Sequence, residues 1–206
     1  MAAIAEEIMS VAELGAEGEV LSAKGLLHLG SRAGVDQALS RLCKNGQLLR
    51  VGRGHYVRPV QSQYGTRAPR PERVVESLAA VTGEMVAPNG AASANALGLT
   101  TQMPIRAVFL TSGRTRRFQL GKQVVELKHA PNWQLREPKK PSGEAVRAIA
   151  WLGQERASEA IIRLKTQLPQ AAKKALLAAR SQLPSWLAAA VSQGLKAEAG
   201  SKMANA

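Results

Sequence analysis

Residues 20–58 constrain this chain more than any other stretch. They read, in order, as a strand, a helix, a tight turn, a second helix and a two-stranded ribbon. Ser22 is placed to cap a first helix over residues 23–29, with Leu26, Leu27 and Leu29 on its apolar side. Gly30 then ends that helix by taking positive φ, and Ser31 caps the next one. In that next helix Val35, Ala38, Leu39 and Leu42 recur at helical period and define one buried stripe. Burying the stripe points Ala33, Gln37, Ser40 and Lys44 outward and leaves Arg32 and Arg41 on the flanks. Asn45 and Gly46 end the helix. Gly34 inside it costs about 1 kcal/mol relative to Ala, and its immediate neighbours in sequence give no reason for it.

Residues 47–51 and 55–58 are strand-like and joined by Gly52, Arg53 and Gly54, a tight tip that presents an arginine. The whole pattern is that of a winged helix-turn-helix, an element that places one helix in a DNA groove. Short polar side chains allow close approach to base edges. Arg32, Gln37 and Arg41 suit bidentate contacts with bases, whereas Ser31, Ser40 and Lys44 suit phosphate. Arg50, Arg53, His55 and Arg58 complete the expected DNA-binding set on the ribbon, where Arg53 meets the minor groove or phosphate. An ordinary solvated helix followed by a plain hairpin carries the same residue types, so the two features count together rather than singly.

The charge is distributed in a way that fits this reading. Residues 1–21 hold five glutamates and no lysine or arginine, whereas residues 22–70 hold nine basic residues against the single acid Asp36. A polyanionic partner follows from such a segment. Aromatic residues are few (3%), which argues against stacking platforms for single strands. The one cysteine, Cys43, forbids an internal disulfide and leaves too few ligands for a structural zinc site; it reads as a small residue beside the buried stripe. No stretch approaches the ~18 apolar residues of a membrane span. The acidic start is unlike a secretory signal. A cytoplasmic location and no membrane partner are therefore expected.

The fold class expected is α+β. Residues 3–14 form an amphipathic helix, with Ile4, Ile8, Val11 and Ala12 on one side, that joins the winged helix-turn-helix as residues 1–60. Residues 61–70, with prolines at 59 and 69, read as a linker. Residues 71–196 read as a mixed domain. It opens with a helix over 71–81 carrying Val74, Val75 and Leu78. A short strand at 85–87 and a helix capped by Asn89 come next. A small antiparallel meander follows over 105–111, 115–120 and 123–129. The meander carries Arg114, Arg116, Arg117 and Lys122, read either as a solvated face or as a surface for a partner. After a proline-bounded crossing at 131–141, helices are expected near 143–152, 155–167, 170–182 and 185–193, with Trp151 and Trp186 anchoring their packing. Residues 197–206 read as a disordered tail.

No catalytic constellation emerges. The chain lacks a phosphate-cradling loop with lysine, paired metal-binding histidines and a nucleophile elbow, and Asp36 is its only aspartate. Neither an enzyme nor a cofactor is expected. Several runs do resemble a known family, the AbiE-type abortive-infection antitoxins. The run LSAKGLLHLGSRAGVDQALSRLCKNGQLLRVGRGHYV resembles their N-terminal winged helix, and PNGAASANALGLTTQMPIRAVFLTSG, VVELKHAP and RAIAWLG resemble their second domain. The likeness covers about residues 15–190. The acidic first segment lies mostly outside it.

That resemblance implies a two-gene, type IV toxin–antitoxin system used in phage defence. The antitoxin is encoded beside a nucleotidyltransferase-like toxin, represses the shared promoter at inverted repeats in double-stranded DNA, and counteracts the toxin through its C-terminal domain. Matching positions for DNA contact are Ser31, Arg32, Gln37 and Arg41 with Arg53 in the wing. The alternative is an antitoxin that binds its toxin directly through the C-terminal domain, with non-specific DNA binding. A general nucleic-acid binder is a third reading.

Overall fold

A computed structural model describes residues 2–103 and 105–196; the tail expected at 197–206 lies outside them. The protein is mixed α+β. Along the chain run α1 (Ala2–Leu14), β1 (Val20–Ser22), a 3-10 turn (Leu27–Leu29), α2 (Arg32–Lys44), β2 (Leu49–Gly52) and β3 (His55–Val57). Next come β4 (Val60–Ser62), β5 (Gly65–Arg67), α3 (Pro71–Thr82), β6 (Val86–Pro88), α4 (Gly90–Ala96), β7 (Ala107–Thr111), β8 (Arg116–Leu120) and β9 (Gln123–His129). The helices α5 (Asn132–Leu135), α6 (Pro141–Leu152), α7 (Gln154–Gln167), α8 (Gln170–Ala178) and α9 (Ser185–Lys196) follow, with a 3-10 turn (Ala179–Gln182) after α8. The chain divides into two compact units, Met1–Val86 with Gly113–Lys128, and Ala87–Ser112 with His129–Ala206.

In the first unit, the stripe Val35, Ala38, Leu39 and Leu42 of α2 is buried as its spacing requires. It packs with Ile8 and Ala12 of α1, Leu26, Leu48 and Tyr56 in one apolar cluster. Burying each large aliphatic side chain there contributes about 1.5–3 kcal/mol. Ser31 caps α2, its Oγ accepting from the Gly34 N–H at 3.2 Å. Gly34 has a reason only in three dimensions: a Cβ there would stand 3.2 Å from Ile4 Cδ1, so the glycine lets α1 lie close. Antiparallel pairing orders a three-stranded sheet as β1, β3, β2, with a bulge between Arg50 and Gly52.

Three local expectations give way here. Residues 23–29 form turns and a short 3-10 segment rather than a helix. Ser22 Oγ does accept from the Gly25 N–H at 2.9 Å, but so short a stretch cannot offset helix nucleation, and the Ala23 N–H goes to the Gly54 carbonyl at 2.8 Å instead. Gly30 is extended, at φ 164, not left-handed; what favours glycine is close approach, since a Cβ would stand 2.8 Å from Ile4 Cδ1. The stretch expected as linker holds the antiparallel hairpin β4–β5. Its base is clamped by Glu17, whose carboxylate accepts from Arg67 Nη1 at 3.0 Å and from the Arg70 N–H at 3.1 Å.

The compact units also divide the chain differently from a boundary at 61–70. The helix α3 stays with the first unit: Val74, Val75 and Leu78 are buried, and Ser77 Oγ accepts from the Val20 N–H of β1 at 2.8 Å. The expected meander is split between units. In the first, β8 and β9 pair antiparallel from Arg116 opposite Leu127 to Leu120 opposite Gln123, and β8 runs beside β2. Strand β7 belongs to the second unit.

The second unit is built on helices. Residues including Ala145, Ile149, Ile161, Leu164, Leu176, Leu187 and Val191 form its core. Small residues set the spacing: a Cβ on Gly90 would stand 2.4 Å from Trp151 Cβ, and one on Gly194 would stand 2.3 Å from Ile161 Cγ2. Asn89 caps α4, its Oδ1 accepting from the Ala92 N–H at 2.7 Å. Trp186 packs against the core, but Trp151 is 42% exposed and is not the internal anchor expected. The crossing at 131–141 contains the short helix α5. Arg147, 1% exposed, holds the crossing to α6 by donating to the carbonyls of Gln134 (3.2 Å), Arg136 (3.4 Å) and Pro138 (2.8 Å).

Candidate nucleic-acid interface

The buried stripe of α2 dictates what the opposite side offers. Ser31, Arg32, Ala33, Asp36, Gln37, Ser40, Arg41 and Lys44 are all exposed. The ribbon β2–β3 closes through Arg53 and Gly54, with Gly54 left-handed at φ 72, so that Arg53 stands exposed at the tip. Arg50 is exposed on β2 and its Nε donates to the Gly52 carbonyl at 3.2 Å, turning the guanidinium toward that tip. His55 at the start of β3 and Arg58 just past its end are half-buried.

The candidate residues differ in what already holds them. Ser31 Oγ is engaged as the cap of α2. Arg32 Nε donates to Asp36 Oδ2 at 2.8 Å, one turn along the same helix. Gln37, Ser40, Arg41, Lys44 and Arg53 have no side-chain hydrogen bond or ion pair among the described residues. A residue absent from the sequence-based set ties helix and ribbon together. Tyr56 of β3 is buried in the apolar cluster, and burial pushes its phenol above the usual tyrosine range. Arg50 on β2 acts against that shift. Only the strand register could have revealed this, because Tyr56 lies opposite Arg50.

The cations of the β8–β9 hairpin behave differently. Arg116 donates from both Nη atoms to Glu84 at 3.0 and 2.9 Å, and the pair is half-buried. Gly113 makes room for that carboxylate: a Cβ there would stand 2.3 Å from Glu84 Cδ. Arg117 pairs with Glu126 at 3.0 Å across the hairpin. Of the surface expected for a partner, Arg114 and Lys122 are exposed without such pairs, whereas Arg116 and Arg117 are committed within the fold. Glu84 and Glu126 are scattered acids in the sequence, 32 and nine residues away from their partners.

In the second unit, an open cavity of about 380 Å³ is walled by Trp133, Glu137, Ser142, Leu176 and Gln182 among others. Glu137 is the one described non-glycine residue at positive φ (48). It accepts from Ser142 Oγ and from Lys140 Nζ, and these bonds hold its carboxyl below the usual range. No group of three metal-ligating side chains occurs among the described residues, and no described helix is long and apolar enough to cross a membrane.

Comparison with protein families gives one match, the family described as "Family of unknown function (DUF6088)", over residues 4–176. Comparison with curated proteins and with solved structures gives none.

Proposed function

The chain belongs to the DUF6088 family, and from that premise we propose that it is a sequence-specific DNA-binding repressor of its own operon that also serves as an antitoxin against a nucleotidyltransferase-like toxin. One observation carries the DNA-binding half. A single unit presents a helix face of short polar and cationic side chains beside a ribbon tipped by Arg53, and its free cations face solvent. The element order α1, β1, 3-10 turn, α2, β2, β3 and the strand order β1, β3, β2 support reading this unit as a winged helix-turn-helix with α2 in the major groove. The antitoxin half rests on the resemblance to AbiE-type antitoxins.

The test is binding of the purified protein to the duplex upstream of its own gene and to a scrambled duplex at several salt concentrations. A specific repressor prefers its upstream sequence by at least ~10³-fold and loses affinity steeply with salt. Equal affinity for both duplexes rejects the repressor and leaves a general cationic surface.

A second reading has its own observation. In the second unit Met103, Ile105 and Ile162 are large apolar side chains left exposed, and a partner that covered them would remove apolar surface from water. An antitoxin that binds its toxin directly through this unit predicts a stable complex when the two full-length chains are mixed and separated by size. Independent elution of the two chains excludes it.

A further inference from the structure

Asp36 is out of place on a surface that meets DNA. It is the only aspartate in the chain and the only acid between residues 22 and 70, and it is exposed among the cations of α2. A carboxylate there repels every phosphate nearby. Helix stability is a weak reason for it. Its partner Arg32 precedes it by four residues, the less favourable order for an acid–base pair on a helix. The two side chains are 62% and 47% exposed, where such pairs contribute little.

The geometry points to Asp36 as the residue that positions Arg32 to read guanine, an inference that rests on the DNA-binding reading of α2. Asp36 Oδ2 takes the Nε proton at 2.8 Å. That bond fixes the guanidinium plane and leaves Nη1 and Nη2 as a free fork at the far end. Two parallel N–H donors match the O6 and N7 acceptors of guanine in the major groove. Arg32 is the first residue of α2, and the N-terminal residues of a reading helix are those that meet base edges. The carboxylate also cancels most of the attraction of Arg32 for phosphate. Arg41, Lys44 and Arg53, with no acid beside them among the described residues, keep that attraction. The surface thus separates one arginine that specifies from several cations that anchor.

The experiment measures affinities of the full chain and of R32A, D36A, D36N and the R32A/D36A double variant. The probes are the upstream duplex, a set in which each base pair is changed singly, and the scrambled duplex. D36A is expected to bind the scrambled duplex more tightly and to lose about tenfold of its discrimination at one G·C pair. R32A loses discrimination at the same pair, and the double variant loses no more than R32A. D36N tightens scrambled binding as D36A does but keeps most of the discrimination, because its amide oxygen still accepts from Nε. Unchanged discrimination in D36A, or a loss at a pair that R32A leaves alone, overturns the inference. So does equal loss in D36N and D36A, which assigns the effect to charge alone. A wild-type chain with no preference for any duplex rejects the sequence-specific reading of α2 on which the inference rests, and that result is read before any variant is made.

Discussion

The α2 face and the β8–β9 hairpin are both cationic, yet the structure uses their charges in opposite ways. On α2 and its ribbon, Arg41, Lys44 and Arg53 stand in solvent, and the one ion pair, Arg32 with Asp36, is exposed on both sides. On the hairpin, Arg116 and Arg117 are bound to Glu84 and Glu126, carboxylates that are themselves mostly shielded. The first arrangement leaves cations ready for an outside anion; the second consumes them in holding one strand to its neighbours. Net charge of a segment therefore says little about partners until the acids that fold back onto it are known.

Removing the free cations is the strongest way to break this contrast. The triple variant R41A/K44A/R53A should weaken binding to all duplexes alike, on the order of a hundredfold, and flatten the dependence of log affinity on log salt by about 3. Its unfolding midpoint should stay near that of the wild type. Loss of preference for one sequence, rather than of affinity for all, would show that these residues read bases.

The opposite outcome is expected on the hairpin. Glu84→Ala leaves a half-buried arginine without its carboxylate and should destabilise the protein by about 1 kcal/mol in urea unfolding. Duplex affinity of the folded protein should not move. A change in affinity without a change in stability would assign Arg116 to the outer surface after all.

The smallest effect sharpens the comparison at a third site. Hydrogen bonds from Arg67 and from the Arg70 N–H hold the Glu17 carboxyl below its usual range. A lowered folded value means that Glu17 contributes stability above the ordinary carboxylate range and loses it as pH falls through that range and below. Protection of the Arg70 amide, taken relative to its intrinsic exchange rate at each pH, should fall on acidification in the wild type, and Glu17→Gln should flatten that response. An equally steep response in the variant would remove Glu17 from the clamp.

Much of α2 was legible from the chain, because its signals are local. The stripe at Val35, Ala38, Leu39 and Leu42, the cap at Ser31 and the stop at Asn45 each depend on residues within one or two turns. Strand β9 and the Asn89 cap of α4 were legible for the same reason. The misreadings share a different cause. Leu26, Leu27 and Leu29 look like a helical side, but the backbone there bonds across to the ribbon. The 60–67 hairpin hides in turn-forming residues that resemble a linker, and Glu17, far away in sequence, completes it. Trp151 looks like an internal anchor but stands against the backbone of Gly90 with its ring partly in solvent.

The order of residues alone determined where α2 begins and ends, which of its faces is buried, and that it carries more cation than acid, because periodicity, capping and composition act over a few residues. Only the tertiary structure decided which charges stay free, why Gly34 and Gly30 are glycines, and how Arg147 joins the 131–141 crossing to α6. Those outcomes depend on atoms brought together from distant parts of the chain, where a partner at 3 Å or a missing Cβ matters and local sequence carries no record of either.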